Sequence, residues 1–297
     1  MKFDELKTVV VIGAGAMGRQ IAMNTVLNGR ARGYRVLLCD SFAPALESAE
    51  TWADGYLAGR VEKGRITKKE AGQVRQNLTI TSDVDGSAAQ ADFVIEAIVE
   101  DLKVKRELFA RISKICRPDA VLSTNSSNIV SSKLADVTEH PERLMNVHYF
   151  NPALAMKLVE LVRGAHTSDE TVAIAKAFAE STGKTAIVLN KEIAGFVVNR
   201  INAAVVHEAL SLLEQGIATV EDIDTACEKG LNYPMGPFRL MDLTGIDVNY
   251  YVRVDRYAES HDPYDAPHPL VVEKFKRGEY GKKTGKGWYE YPETETK

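Results

Sequence analysis

A histidine and a glutamate within residues 146–160 have the types and spacing that proton-transfer chemistry needs. His148 ends an apolar run, Asn151-Pro152 is a turn signal, and Glu160 lies in a second extended segment. Two strands joined by such a turn would bring the carboxylate back against the imidazole. A carboxylate that accepts one ring N–H fixes the tautomer and raises the basicity of the other nitrogen, as a general base requires. A core histidine beside an unrelated surface glutamate is the alternative, and this segment alone leaves both open.

A glycine-rich turn near the start of the chain has the spacing of a dinucleotide-binding loop. An apolar run at residues 8–12 leads into Gly-Ala-Gly-Ala-Met-Gly, and a helical pattern follows at once. Glycines at the first, third and sixth positions allow a tight turn, close approach to a pyrophosphate and close packing of helix on strand. The residues predicted to hold the cofactor in this turn are Gly13, Gly15, Ala16, Met17 and Gly18.

An acidic residue at the end of the next strand indicates which cofactor binds. Asp40 follows the glycine turn at about the spacing expected of a ribose ligand. Its carboxylate would accept hydrogen bonds from the adenosine ribose and repel a 2′-phosphate, and Ser41 and Phe42 offer no arginine to receive one. NAD is therefore predicted rather than NADP. A glycine-rich structural turn without a cofactor is the alternative.

Polar residues follow two further strands, whose carboxyl ends face the same crevice in a Rossmann topology. Glu100 is predicted to lie near the nicotinamide ribose, with a solvated loop glutamate as the alternative. Lys105, one helical turn on, is expected to pair with Glu100 or with a phosphate. Asn125 is predicted to contact the cofactor, and the hydroxyl of Ser127 to bind a substrate oxygen or to cap the next helix.

The elements that must position these residues form an α/β domain. Up to about residue 190, short apolar runs alternate with helical patterns, which is typical of a mainly parallel sheet with helices on both faces. The predicted strands are 8–12, 35–39, 78–81, 93–96, 121–124, 144–148, 157–162 and 185–189. The predicted helices between them are 17–27, 44–63, 103–115 and 169–181.

Beyond residue 190 the strand patterns stop. Residues 195–216 predict one long helix, a second starts after Thr219, and Gly236-Pro237 opens a third that runs towards Tyr251. The proline-rich stretch at 262–269 predicts a surface loop. The sequence therefore predicts a Rossmann-like NAD-binding domain at residues 1–190 and an all-helical domain at residues 191–297.

The composition excludes several classes of function. A net charge of −4 gives no basic field for nucleic acid, and no apolar run approaches the roughly 20 residues that span a bilayer. The three cysteines are far apart, which suits a reducing cytosol better than a disulfide framework or a zinc motif. The acidic N-terminus does not fit a signal peptide, and the histidines lack metal-ligand spacing. We expect a soluble cytoplasmic protein without a metal.

Three further motifs complete a pattern that runs through the chain. They are Gly-Phe-Val-Val-Asn-Arg at 195–200, Tyr-Pro-Met-Gly-Pro at 233–237 and Gly-Lys-Lys-Thr-Gly-Lys-Gly-Trp-Tyr at 281–289. With the glycine turn, Thr-Asn-Ser-Ser at 124–127 and the stretch at 146–160, they closely resemble the L-3-hydroxyacyl-CoA dehydrogenase family, particularly its 3-hydroxybutyryl-CoA dehydrogenases. The resemblance implies reversible, NAD-dependent oxidation of a short-chain L-3-hydroxyacyl-CoA in fatty acid metabolism. It also implies a homodimer formed through a helical domain that helps to bind the substrate.

The resemblance also implies roles for individual residues. His148 matches the family's catalytic base and Glu160 its partner. Ser127 and Asn199 match the residues that hold the substrate's oxygen atoms, and Asn151 supports His148 from the turn. These assignments imply that His148 takes the proton of the 3-hydroxyl while hydride leaves C3.

Other positions leave the substrate open. Lys63 matches a basic residue that meets the nucleotide end of coenzyme A, and a solvated helix face is the alternative. Asn128 stands where the family usually has serine, Ser126 where it has threonine and Tyr149 where it has phenylalanine, so the acyl chain length stays undetermined. Relatives of this architecture oxidise L-gulonate or carnitine, and a non-catalytic NAD-binding protein is a third alternative. The long basic link at 28–33 is either a loop extension or a contact for a phosphate or partner chain.

Overall fold

The structure, a computed structural model, describes residues 1–292. The chain forms two compact units, Met1–Phe196 and a second that begins at Val197. Within the described residues, no helix is both long and apolar enough to cross a membrane.

The first unit is built on an eight-stranded sheet of order β3-β2-β1-β4-β5-β6-β7-β8. Its strands are β1 Thr8–Ile12, β2 Arg35–Cys39, β3 Leu78–Thr81, β4 Phe93–Glu96, β5 Val121–Thr124, β6 Leu144–Tyr149, β7 Leu158–Val162 and β8 Thr185–Leu189. Neighbouring strands are parallel except β6 and β7, which pair antiparallel. These elements confirm the predicted α/β class and the strand positions. The strands could be predicted because short, apolar, β-branched runs suit strands that are covered on both faces.

Helices cover both faces of the sheet. In the first unit they are α1 Ala16–Asn28, α2 Ala43–Glu62, α3 Lys68–Gln76, α4 Val84–Ala89, α5 Leu102–Ile115, α6 Ser132–Ala135 and α7 Asp169–Ser181. Alternate residues of β1 enter two different cores: Val9 and Val11 pack in one, and Val10 and Ile12 in the other. Side chains point to opposite faces along a strand, so β1 is buried on both sides between these helix layers.

The basic link at residues 28–33 makes contacts within its own unit. Arg30 bonds Glu70 at 3.0 Å, and Arg32 bonds Asp4 at 3.1 Å while its guanidinium lies 4.4 Å from the Phe3 ring centroid. The link therefore ties α3 and the N-terminal segment to the end of α1. These contacts favour the loop-extension alternative.

The second unit contains helices α8 Val198–Glu214, α9 Val220–Gly230, α10 Pro237–Thr244, α11 Ile246–Ser260 and α12 Pro269–Lys276. Its core includes Phe238, Met241 and Ile246. The prediction of one helix from Gly236 towards Tyr251 is wrong, because Gly245 has a φ of 104° that ends α10 and separates it from α11. A left-handed residue of this kind cannot continue a right-handed helix.

A buried aspartate anchors the C-terminal segment of the second unit. Asp242 accepts hydrogen bonds from the backbone N–H groups of Trp288 and Tyr289, both at 2.9 Å, and from the Tyr291 hydroxyl at 3.0 Å. Burial raises the pKa of the Asp242 carboxyl. The glycine- and lysine-rich motif at 281–289 is thus held by one side chain of α10.

Candidate active site

The glycine turn between β1 and α1 has the geometry of a pyrophosphate site. Gly13 has a φ of 109°, and a Cβ there would lie 2.4 Å from the carbonyl oxygen of Ala97. A Cβ on Gly18 would lie 1.7 Å from the carbonyl oxygen of Gly13, so helix and strand meet at a distance only glycine allows. A Cβ on Gly15, by contrast, would meet no atom within 4 Å. The space next to Gly15 is therefore open, as the close approach of a phosphate requires.

The start of α1 supplies donors to that open space. The helix begins at Ala16, followed by Met17. Its N-cap residue, Gly15, has no side chain that could accept the first N–H groups of the helix. The first N–H groups of a helix have no partner inside the helix, and with the helix dipole they favour an anion. Gly13, Gly15, Ala16, Met17 and Gly18 therefore lie where the sequence predicts, and this turn fits a dinucleotide cofactor.

Asp40 lies at the end of β2 beside the same turn. Its Oδ2 accepts the Ala14 N–H at 2.7 Å and its Oδ1 accepts the Phe42 N–H at 2.9 Å. Each carboxylate oxygen has a second lone pair, so both can still accept a hydroxyl. The two backbone bonds fix the carboxylate in place, as a ribose ligand needs.

A cavity of about 770 Å³ extends from Asp40 and provides the room for an adenosine. Its walls include apolar side chains that the sequence analysis missed as site residues, namely Phe42, Val104 and Leu108. Phe42 is 64% exposed, which is unusual for an aromatic ring and often marks a binding surface. This exposure is visible only in the folded structure. Arg111 also lines the cavity, and its Nε lies 3.4 Å from Asp85 Oδ1.

At the carboxyl ends of β4 and β5, charged side chains form a connected group. The Lys105 ammonium is 1% exposed and lies 2.5 Å from Glu96 Oε1 and 3.4 Å from Glu100 Oε2. Lys105 thus pairs with Glu100, one of its two expected partners. Its ammonium is buried and lies between two carboxylates of the same unit. Glu100 is 43% exposed and accepts a short hydrogen bond from the Ser126 hydroxyl. Glu96 was not predicted as a site residue, because nothing in the local sequence shows that a glutamate at a strand end is buried.

Asn125 connects two strand ends. Its Oδ1 accepts the backbone N–H of Tyr149 at 2.8 Å, and its own N–H donates to the Glu96 carbonyl at 2.8 Å. The side-chain oxygen of Asn125 therefore fixes the end of β6 against the end of β5. A contact between Asn125 and the cofactor stays a prediction.

His148 and Glu160 lie opposite each other in the antiparallel pair β6–β7. The Nδ1 of His148 is 2.9 Å from Glu160 Oε2, and the two side chains are 4% and 0% exposed. A carboxylate can only accept, so the shared proton belongs to Nδ1 and the Nε2 of a neutral ring is left as an acceptor. The sequence predicted that the turn would bring the Glu160 carboxylate against the His148 imidazole, and the structure has this contact. The contact leaves Nε2 as the basic nitrogen.

Ser127 faces that nitrogen. Its Oγ lies 2.9 Å from His148 Nε2, and its backbone oxygen accepts the Gly195 N–H at 3.1 Å. The rings of Phe150 and Phe196 contact the imidazole edge-on, with centroids 4.6 and 5.2 Å away. Glu160, His148 and Ser127 thus form a continuous line of hydrogen bonds with apolar rings around its centre.

The three remaining predicted residues are exposed. Asn151 is exposed in the turn between β6 and β7, at the head of a cis peptide bond to Pro152. Lys63 is exposed at the C-cap of α2. Asn199 is exposed in the first turn of α8, which belongs to the second unit. Their contacts with a substrate stay predictions.

A buried lysine behind the β6–β7 turn was not foreseen. The Lys184 ammonium donates to the carbonyl oxygens of Met156, at 2.8 Å, and of Ala153. Burial, together with the nearby charge of Lys157, lowers the pKa of Lys184 to about 8. Lys184 thereby holds the turn that leads from the histidine strand to the glutamate strand.

A Rossmann-like unit with an open glycine turn, a fixed carboxylate at the end of β2 and a buried carboxylate–imidazole pair is typical of an NAD-dependent dehydrogenase. Comparison with known proteins gives the family. Residues 8–193 match the profile "3-hydroxyacyl-CoA dehydrogenase, NAD binding domain", and residues 195–291 match that of the C-terminal domain of the same enzymes. The chain therefore belongs to the 3-hydroxyacyl-CoA dehydrogenase family.

Similar proteins cover almost the whole chain. A probable 3-hydroxybutyryl-CoA dehydrogenase of Bacillus subtilis is 36% identical over 97% of this chain and 99% of its own. The mitochondrial hydroxyacyl-coenzyme A dehydrogenase of Homo sapiens is also 36% identical, over 96% of this chain and 91% of its own. The crystal structure of (S)-3-hydroxybutyryl-CoA dehydrogenase PaaH1 from Ralstonia eutropha superposes with a TM-score of 0.89 at 34% identity, covering 97% and 100% of the two chains.

Proposed function

We propose that the protein oxidises a short-chain L-3-hydroxyacyl-CoA to the 3-oxoacyl-CoA with NAD, reversibly, and that His148 is the base. The observation that carries this proposal is the line of hydrogen bonds from the buried Glu160–His148 pair to Ser127, with bonds of 2.9 Å on both sides of the ring. The matched family domains and the hydroxybutyryl-CoA activity named for the relatives support the substrate class.

The proton steps follow from the hydrogen-bond roles of these side chains. Nε2 of His148 is free to accept because Glu160 holds the ring proton at Nδ1. In the resting site Nε2 accepts from the Ser127 hydroxyl, and the substrate's 3-hydroxyl takes that position when it binds. Nε2 removes the hydroxyl proton as the carbonyl forms, and the imidazolium is stabilised by the Glu160 carboxylate. The glycine turn and Asp40 would hold NAD, which would supply an acceptor for the hydride from C3.

The neighbours of the base then have positioning roles. Ser127, released from Nε2, donates to the substrate oxygen, and Asn199 is proposed to hold the same oxygen or the thioester. Fixing a substrate in a reactive geometry removes much of the entropic cost of the step. Asn151 is proposed to steady the turn beside His148, and Lys63 to meet the nucleotide end of coenzyme A.

A substrate panel tests the proposal. NADH formation is measured with C4 to C10 3-hydroxyacyl-CoAs, free 3-hydroxy acids and carnitine, and we expect turnover with the shorter thioesters. In the same assay His148→Gln lowers kcat by roughly 10²–10⁴-fold, the usual contribution of a general base, while NADH still binds by fluorescence titration. No turnover with any thioester would overturn the substrate class, and a near-wild-type kcat of the variant would overturn the base.

We also infer a homodimer formed through the second unit. Several large apolar side chains on its helices or at a helix end are more than 40% exposed, which is unusual for a monomer surface. They include Ile201, Leu231, Leu243, Val248 and Tyr251. Sedimentation of the full chain should give twice the chain mass, and Ile201→Glu with Tyr251→Glu should give a monomer. A monomeric wild type would contradict this inference.

A cytoplasmic location is part of the proposal and is checked by cell fractionation.

A further inference from the structure

Glu96 is a buried carboxylate that the proton steps above do not use. It ends β4, is 0% exposed, and accepts three hydrogen bonds: from Lys105 Nζ at 2.5 Å, from the Thr124 hydroxyl at 2.6 Å and from the Ile98 N–H at 2.7 Å. A buried charge is costly unless it is fully paired, and these donors occupy both oxygens. The Glu96 carboxylate therefore fixes the positions of the groups that donate to it.

Two chains of contacts run from Glu96 to Ser126. In the first, the Thr124 hydroxyl donates to Glu96 and accepts the backbone N–H of Ser126 at 3.2 Å. In the second, Lys105 bridges Glu96 to Glu100, and Glu100 accepts the Ser126 hydroxyl. Both the backbone and the side chain of Ser126 are therefore set by the same buried carboxylate.

Ser126 in turn fixes the loop that carries Ser127. The Ser126 hydroxyl accepts the N–H of Ile129 at 2.7 Å, which closes a tight turn around residue 127. Asn146 holds the same turn from β6, because its Nδ2 donates to the carbonyl oxygens of Ser126 and Ile129. The position of the Ser127 hydroxyl, 2.9 Å from His148 Nε2, depends on this turn.

We propose that Glu96 is a positioning residue that acts through Ser126 to hold the Ser127 hydroxyl at the catalytic nitrogen. The proposal rests on the function proposed above. Replacing a buried ion pair by apolar residues is often neutral or stabilising, so stability alone gives little reason for a buried Glu96–Lys105 pair. Its contacts lead instead to Ser127, whose hydroxyl faces the proposed base, and a displacement of 1 Å can cost about 10²-fold in rate.

The same strand offers a matched control. Asp92, directly before β4, is also buried; it accepts the N–H groups of Lys7 and Thr8, both at 2.7 Å, and pairs with Arg117 at 2.8 Å. It has the chemistry of Glu96 but lies at the opposite end of the strand. Asp92→Asn should lower the unfolding temperature and leave kcat within about twofold of wild type.

A double-mutant cycle tests the proposal with Glu96→Gln, Ser127→Ala and the double variant, at saturating NAD with binding checked by NADH fluorescence. Glu96→Gln should lower kcat/KM by roughly 10- to 100-fold in the wild-type background and by less than about threefold in the Ser127→Ala background, since interacting sites are non-additive. A loss of stability alone would give equal factors in both backgrounds.

The outcomes distinguish a failure of the proposed role of Glu96 from a failure of the proposed site. Equal factors in both backgrounds, or a wild-type rate in Glu96→Gln while Ser127→Ala is impaired, overturn the role of Glu96 and leave the proposed site standing. A wild-type rate in Ser127→Ala overturns the site assignment and the inference with it. If Glu96→Gln does not fold, Thr124→Val carries the same cycle, because it removes the hydroxyl that links Glu96 to the Ser126 N–H.

Discussion

Replacing Glu160 by glutamine tests the centre of the proposed mechanism with a minimal change of shape. The amide occupies the place of a carboxylate that is 0% exposed and 2.9 Å from His148 Nδ1. It removes the negative charge opposite the imidazolium. It also introduces an NH2 group that can donate to Nδ1, and this would shift the ring proton to Nε2, where it blocks the base.

The size of the effect follows from these two losses. A hydrogen bond to a charged group contributes roughly 1.5–3 kcal/mol, and each 1.36 kcal/mol is about tenfold in rate, so the lost charge alone lowers kcat by about 10- to 100-fold. The wrong tautomer adds to this, since the comparable change in a serine protease triad costs about 10⁴-fold. We expect Glu160→Gln to lower kcat by roughly 10²–10⁴-fold.

The assay is NADH appearance at saturating NAD and 3-hydroxybutyryl-CoA, with Asp92→Asn as the control. The control removes a buried carboxylate from the same unit away from the site, so its kcat reports what a general loss of stability does. NADH affinity of Glu160→Gln should match wild type. A kcat within threefold of wild type, with the variant folded, would refute the role of Glu160.

Three further changes test separate parts of the molecule. Gly15→Val should fold normally, because no atom lies within 4 Å of its Cβ position, but should weaken NADH binding by at least about tenfold by filling the phosphate space; unchanged binding in a fluorescence titration contradicts this. Lys63→Glu should raise the KM for the acyl-CoA at low salt and leave that for NAD unchanged, and equal shifts in both would refute a coenzyme A contact. For Lys184, burial lowers the pKa to about 8 from 10.5, so between these pH values the unfolded chain holds more protons and wild type gains stability over Lys184→Met as pH rises, by on the order of 1–3 kcal/mol. Urea unfolding of both proteins at pH 7.5 and 10 measures that difference, and a constant gap contradicts the assignment.

The strands could be predicted from the sequence almost to the residue. Apolar, β-branched runs such as 8–12 and 185–189 leave few alternatives once they alternate with helical patterns. The pairing of His148 with Glu160 was also accessible, because a turn signal between two extended segments limits how they can meet. The strands and this pairing depend on local sequence, and they could therefore be predicted from it.

The misses concern features that tertiary contacts decide. Helices α3, α4, α6 and α12 escaped prediction because they are short or have few apolar residues to mark a buried face. The break at Gly245 is invisible in a continuous helical pattern, since a glycine is compatible with both outcomes. Burial of Glu96 and Lys105 depends on strands distant in sequence, so their connection to Ser127 emerges only from the folded chain.

The antiparallel β6–β7 pair has a consequence for how this chemistry withstands change. Because side chains alternate between faces, a shift of the pairing by one residue would turn the Glu160 carboxylate to the other side of the sheet, away from His148. The proposed proton-transfer pair therefore depends on strand register rather than on loop conformation. Substitutions in the turn at residues 150–157 can leave this pair intact, whereas a change that shifts the register by one residue separates the proposed base from its carboxylate in a single step.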